Sequence, residues 1–314
     1  MFFPKPKIIA THVPPSPTND NVLGANATAQ PSTTTTQGMT KLFGFALSDY
    51  TNKTEEISDL EDTIKKNITT VSIYKQFGLP SNNTIDITEL SYIKSHNIKL
   101  LIAWEPWNPQ EGMHQSIDYL KSINDGGQDA YIKSFAHIIQ TYGAPVIIRF
   151  GHEMNGNWYP WGQRQQEYVH AYQRVVTLFR NENISNVQWM WSINVDPLTG
   201  VDSYYPGNDF VDIIGIDGFN FGTSAANTTW VSFYAIFSHA YEYIVSHYNK
   251  PLIISETASA EVGGNKAQWV RDMFGTLETS MPKIQEVIWF NLNKETDWRI
   301  NSSSEALSAF LQGL

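Results

Sequence analysis

The chain contains no cysteine. Disulfide frameworks, thiolate metal sites and cysteine nucleophiles are therefore excluded. Charge is sparse, at 17% of residues, and the basic sign is the scarcer one: 21 Lys and Arg against 31 Asp and Glu, a net charge of −10. No basic stripe is available to neutralise phosphates, so nucleic acid is not an expected partner, and the acidity reads as solubility. No apolar run reaches the length of a membrane span. The opening MFFPKPKIIA carries two lysines but too short an apolar stretch for a signal peptide. No glycine-rich phosphate loop follows the first apolar strand, which weighs against a doubly wound nucleotide-binding sheet.

What the chain has is length and rings. Its 314 residues are 41% hydrophobic, enough for one large core. Ten Trp and fifteen Tyr are more than filling alone explains, because a buried indole N–H needs a partner. About half of these rings belong to the core on this reading, and the excess suits flat ligands such as sugar rings. Residues 11–40 are rich in Pro, Thr, Ser and Asn and lack hydrophobic periodicity. We read residues 1–40 as a disordered or extended linker and residues 41–314 as one catalytic domain.

From residue 42 onward, apolar strands alternate with helical patterns. The expected strands are Leu42–Leu47, Thr69–Tyr74, Ile98–Trp104, Pro145–Phe150, Val187–Trp191, Val211–Ile216, Pro251–Glu256 and Glu286–Asn291. Between and after them lie helical patterns at Lys53–Asn67, Asp86–His96, Asp129–Tyr142, Gln165–Glu182, Trp230–Tyr248, Lys266–Glu278 and Ser303–Leu311, with a loop or short helix after the fifth strand. Uninterrupted apolar strands suit a parallel sheet covered on both faces. Eight of them in alternation with helices predict an α/β fold, a single (β/α)8 TIM barrel, in preference to an open sheet.

In such a barrel, chemistry sits where strands end and βα loops begin. Carboxylates, asparagines and tryptophans recur there. The third strand ends Trp104-Glu105-Pro106-Trp107, the fourth runs into Arg149-Phe150-Gly151-His152-Glu153, and the fifth ends at Asn194. The sixth ends at Asp217-Gly218-Phe219-Asn220, the seventh at Glu256 and the eighth at Trp289-Phe290-Asn291. Glu153 and Glu256 lie on strands four and seven, across the mouth from one another. Two carboxyls flanking one bond are what glycoside hydrolysis requires. A lone rim glutamate is more often a salt bridge or a cap, but an opposed pair among rings favours catalysis. His152-Glu153 invites a zinc reading, but Gly156 stands where the second histidine would be needed, and the helix of that motif is absent. Pro106 keeps Glu105 extended at the strand end, where pairing with Arg149 is the alternative to a role at the substrate. Trp104, Trp107, Trp158, Trp161 and Trp289 are expected at the rim as sugar platforms, and one of Trp189 and Trp191 as a core residue. Asp217 is expected as a substrate contact or a cap, and Asn155 as a substrate contact.

The stretch Arg149-Phe150-Gly151-His152-Glu153-Met154-Asn155-Gly156-Asn157-Trp158-Tyr159-Pro160-Trp161 resembles the acid/base motif of glycoside hydrolase family 26. Gly215-Ile216-Asp217-Gly218-Phe219-Asn220 and Ile254-Ser255-Glu256-Thr257-Ala258-Ser259 agree with it, and the resemblance covers roughly residues 41 to 314. It implies a retaining double displacement with Glu153 as acid/base and Glu256 as nucleophile. His152 would orient Glu153 and contact sugar, and Trp158 and Trp289 would wall the central subsite. Two departures stand out. Many members carry Tyr two residues after the strand-six Asp, where it bonds the nucleophile; here that residue is Phe219, so either another group, Tyr159 being a candidate, holds Glu256 or its pKa is tuned differently. Mannan-cleaving members often read Trp-Phe-Trp-Trp after His-Glu, whereas Trp158-Tyr159-Pro160-Trp161 looks more like the glucan-acting branch.

The function implied is an endo-β-glycanase acting on β-1,4 bonds of a polysaccharide, glucan before mannan, with no cofactor. A non-catalytic carbohydrate-binding barrel is the reading from another class; it would keep the tryptophan rim and lose a carboxylate, and both are present. Sequons at Asn26, Asn52, Asn67, Asn82, Asn183, Asn227 and Asn301 fit an exported chain, as does a polymeric substrate. The expected location is extracellular.

Overall fold

A computed structural model describes residues 42–47, 53–79 and 87–314. The expected linker at residues 1–40 lies outside them. Eight parallel strands form a closed barrel in sequence order, β1 to β8. They are β1 (Leu42–Ala46), β2 (Thr70–Gln76), β3 (Lys99–Glu105), β4 (Val146–Phe150), β5 (Val187–Asn194), β6 (Ile213–Asn220), β7 (Leu252–Ser259) and β8 (Ile284–Phe290). The helices are α1 (Lys53–Ile64), α2 (Ile87–Ser95), α3 (Tyr119–Asn124), α4 (Asp129–Tyr142), α5 (Gln165–Asn181), α6 (Phe233–His247), α7 (Lys266–Thr279) and α8 (Ser304–Gly313), with a 3-10 turn at Val201–Tyr204. The predicted TIM barrel is the observed one. Helix α3, absent from the sequence reading, is six residues long, too short to show a period; Asp118 caps it by accepting from the Lys121 amide.

Strand alternation decides which residues meet the site. On β4, Arg149 points into the barrel, while Phe150 points out against Tyr168 and Tyr172 of α5. On β5, Ser192 and Asn194 point in, and Trp189 and Trp191 point out. The outer face of the barrel and the inner faces of the helices form one continuous core. At the end away from the mouth, buried Glu286 accepts from Thr70 Oγ1 at 2.5 Å and from Lys99 Nζ at 2.5 Å, which ties β8, β2 and β3 together. That end of a barrel reads as stability.

Register breaks at one place that matters. β6 and β7 pair Ile216 with Ile254, then Asp217 with Glu256, so β7 carries one extra residue there. The bulge turns two consecutive side chains, Ser255 and Glu256, toward the interior. Gly215 makes room: a Cβ on it would lie 2.3 Å from Ser255 Oγ.

Candidate active site

The floor of the mouth is a buried ion network. Arg149 donates from Nη1 to Glu256 Oε1 at 2.6 Å, from Nη2 to Asp217 Oδ2 at 2.6 Å and from Nε to Ser192 Oγ at 3.0 Å. Asp217 also accepts from Ser192 Oγ at 2.8 Å and from Ser255 Oγ at 2.6 Å. Burial alone would pull the Arg149 guanidinium down, but the charges of Asp217 and Glu256 outweigh it and hold it well above its ordinary value. Tyr74, on the inward face of β2, donates to Glu256 Oε1 at 2.6 Å. Burial first, and then the negative charge of Glu256, keep this phenol well above its ordinary value, so it remains a donor.

Glu153 sits opposite, on the loop after β4. Its backbone φ of +53° is left-handed, which costs a non-glycine residue on the order of 1 kcal/mol. Two bonds hold that turn: Glu153 N donates to Ser192 O at 2.8 Å, and Gly156 N donates to Glu153 O at 2.9 Å. The carboxyl accepts at Oε1 from Asn194 Nδ2 (3.1 Å) and at Oε2 from Trp158 Nε1 (2.7 Å). A protonated carboxyl keeps acceptor capacity, so these donors are compatible with either protonation state. Asn155 fastens the loop from below: Nδ2 donates to the carbonyls of Asn194 and Pro197, and Oδ1 accepts from Asn194 N.

A third carboxyl completes the mouth. Glu105 Oε2 accepts from Gln76 Nε2 at 2.7 Å and from Trp107 Nε1 at 3.1 Å. Its Oε1 lies 3.8 Å from His152 Nε2. Burial pushes Glu105 up to about 7, against the lowering effect of those two donors. His152 Nε2 is 3.2 Å from the Tyr159 hydroxyl. Trp107 meets Tyr159 and Trp161 edge-on. Beside this corner a groove of about 350 Å³ runs between the loops that follow β3 and β4, past Pro106, Met113, Ile117, Tyr159 and Arg164.

The structure brings Glu153, Glu256, His152, Glu105, Trp107 and Trp158 to the mouth, and places five other expected contacts elsewhere. Trp104 points outward, fully buried, stacked at 4.3 Å on Phe135 of α4 and bonded through its indole to Tyr131. Trp289 is outward and fully buried as well, edge-on to Trp269 and Phe310, with its N–H on Trp298 O. Alternation is the reason in both cases: the inward neighbours are Glu105 and Phe290. Trp161 is buried beneath Tyr159, stacked at 4.2 Å, with its N–H on His152 O, so it supports the loop. Asp217 is fully buried and engaged with Arg149 and two serines. Asn155 spends its amide on backbone groups. Trp189 and Trp191, two apart on one strand, share the outward face, so both are core. Arg149 pairs with Asp217 and Glu256, and of the two alternatives for Glu105 the pairing with Arg149 is not seen. Glu256 accepts from the Tyr74 hydroxyl, while that of Tyr159, the candidate named for this place, lies against His152.

Two residues at the mouth were missed. Tyr74 ends the strand predicted at Thr69–Tyr74, and the signal was the polar alternation Ser72, Tyr74, Gln76 on its inward face. Asn194 was visible as the end of the fifth strand but carried no assignment. Among the described residues no group of three or more His, Asp or Glu is arranged to hold a metal ion, and no described helix is long and apolar enough to cross a membrane.

Comparison with known proteins adds the lineage. The family model for glycosyl hydrolase family 26 matches residues 110–272. Endoglucanase H of Acetivibrio thermocellus is 41% identical over 226 residues, covering 68% of this chain and 24% of that protein. A mannan endo-1,4-beta-mannosidase of Bacillus subtilis is 25% identical over 186 residues, covering 54% of this chain and 49% of that protein. The chain thus spans about a quarter of the first relative's length and about half of the second's. In fold, it is similar to a Cellulomonas fimi endo-beta-1,4-mannanase double mutant, with a TM-score of 0.68 and 18% identity over 88% of this chain and 70% of the other. Barrel, family match and sequence relatives agree, and the chain belongs to glycosyl hydrolase family 26.

Proposed function

We propose that this chain is a retaining endo-β-glycanase that hydrolyses β-1,4 bonds in an extracellular polysaccharide, with glucan, cellulosic or mixed-linkage, as the preferred polymer. The observation that carries the proposal is the pair of buried carboxyls, Glu153 from the β4 loop and Glu256 from β7, each held by donors at one mouth. In the first step an electron pair of the Glu256 carboxylate forms a bond to the anomeric carbon. The glycosidic C–O bond breaks, and its oxygen takes the proton of Glu153. In the second step Glu153, now a carboxylate, takes a proton from water; the water oxygen bonds the anomeric carbon and Glu256 leaves as carboxylate. Trp107, Trp158 and Tyr159 supply flat apolar faces at the mouth, and His152 and Glu105 supply polar contacts. In an endo enzyme the groove beside Tyr159 would be a place for further sugar units.

The glucan preference rests on the match to endoglucanase H, higher in identity and longer than the matches to mannosidases. Those shorter matches support β-1,4-mannan as the second reading. Glu153→Gln and Glu256→Gln should each lower hydrolysis by about 10²–10⁴-fold, assayed as reducing-sugar release from lichenan, carboxymethylcellulose and galactomannan. The first product should keep the β anomer by NMR. Near wild-type hydrolysis by both variants would overturn the assignment, and faster release from galactomannan would move the substrate to mannan.

A further inference from the structure

Building on the reading of Glu256 as nucleophile, we propose that Tyr74 is its positioning residue: the β2 phenol holds carboxylate Oε1 so that Oε2 is the oxygen that attacks. The terminal torsion of a glutamate is broad, so the side chain's rotamer alone does not set the plane of its carboxylate. One donor would leave the group free to pivot. Here two donors from different strands meet the same oxygen, Tyr74 Oη from β2 and Arg149 Nη1 from β4, each at 2.6 Å. Together they engage the lone-pair directions of Oε1, which fixes the plane of the carboxylate and with it the direction in which the other oxygen faces.

Both donors are themselves held. Arg149 is locked by Asp217 and Ser192. The Tyr74 ring lies edge-on to Phe290, centroids 6.4 Å apart. The neighbouring strand offers no hydroxyl in this place: Phe219, two residues beyond Asp217, packs on Phe290 at 5.5 Å and on Trp298 at 5.4 Å. Phe290 thus touches the β2 ring on one side and the β6 ring on the other, and the donor comes from the β2 side. During the reaction Oε1 becomes the carbonyl oxygen of the glycosyl ester and still accepts from Tyr74 and Arg149. When the ester breaks, charge returns to the carboxylate between the same two donors.

The test compares Tyr74→Phe in two backgrounds, with an aryl β-glycoside substrate. In the otherwise unchanged protein it should lower kcat roughly 10- to 100-fold, the worth of one hydrogen bond to a charged group. KM should change little, Tm should fall by only a few degrees, and the acid limb of the kcat/KM profile should move to higher pH, because a carboxylate that loses a donor is harder to ionise. In Glu256→Ala with azide as external nucleophile, the same substitution should cost less than about threefold, since its partner is gone. An equal cost in both backgrounds, or none in the first, overturns the role of Tyr74. Failure of azide to yield the α-glycosyl azide from Glu256→Ala overturns the nucleophile itself, and is a separate result.

Discussion

Asp217 carries no exposed surface, yet three donors end on it: Arg149 Nη2, Ser192 Oγ and Ser255 Oγ. Asp217→Ala leaves all three without that acceptor and takes one of the two counter-charges from a buried guanidinium. Breaking a buried charge pair this way costs about 3–5 kcal/mol, or a drop in Tm of roughly 6–20 °C for a chain of this size. Asp217→Asn removes the charge and lets the bonds adapt. The new amide can donate to Ser255 Oγ; that hydroxyl can turn to donate to Ser192 Oγ, 2.8 Å away, which still donates to the remaining oxygen. Arg149 keeps Glu256 as its counter-charge. The Asn variant should therefore lose only about 1–2 kcal/mol, within the usual worth of one charge-assisted bond. Urea unfolding followed by tryptophan fluorescence and circular dichroism measures both variants against the parent. If Asn costs as much as Ala, the hydroxyls do not rearrange and that reasoning fails. If Ala costs under about 1 kcal/mol, the network is not a support of the fold.

Glu105→Gln tests a pH effect. Burial raises Glu105 from 4.5 to about 7, so between these values the folded protein holds a proton that the unfolded chain has lost. Its contribution to stability is complete below 4.5 and is lost as pH rises through 7, by about 3 kcal/mol; the Gln variant should show that much less decline in unfolding free energy between pH 4.5 and 8. Trp104→Ala should destabilise by about 3–5 kcal/mol as a core cavity while KM per folded molecule stays unchanged; a raised KM would return Trp104 to the substrate. Trp158→Phe keeps a ring and removes the N–H on Glu153 Oε2, so kcat should fall about 10-fold, and an unchanged kcat would show the bond to be idle.

The barrel was legible because its signal is local: eight apolar runs, all but the fifth followed by a helical pattern. The two opposed glutamates were legible for the same reason, since a strand end in this fold is a place at the mouth. What failed was orientation. Trp104 and Trp289 are strand-end residues like Glu105 and Phe290, and only the phase of the pleat separates a ring in the mouth from one in the core. Sequence patterns do not print that phase when both faces of a strand are apolar. Partners distant along the chain were hidden as well. Tyr74 meets Glu256 across 182 positions, and nothing near either residue announces the other.

The extra residue in β7 has a consequence for how the molecule reports on itself. Ser255 and Glu256 are joined by one peptide unit, yet the first ends on Asp217 and the second on Tyr74 and Arg149. A ligand seated on the Glu256 carboxylate would therefore be one peptide unit from the packed interior. The amides around this joint should act as a gauge of occupancy. Their hydrogen exchange should slow when a glycosyl group is held, while those beside Glu286 at the far end keep their own rate.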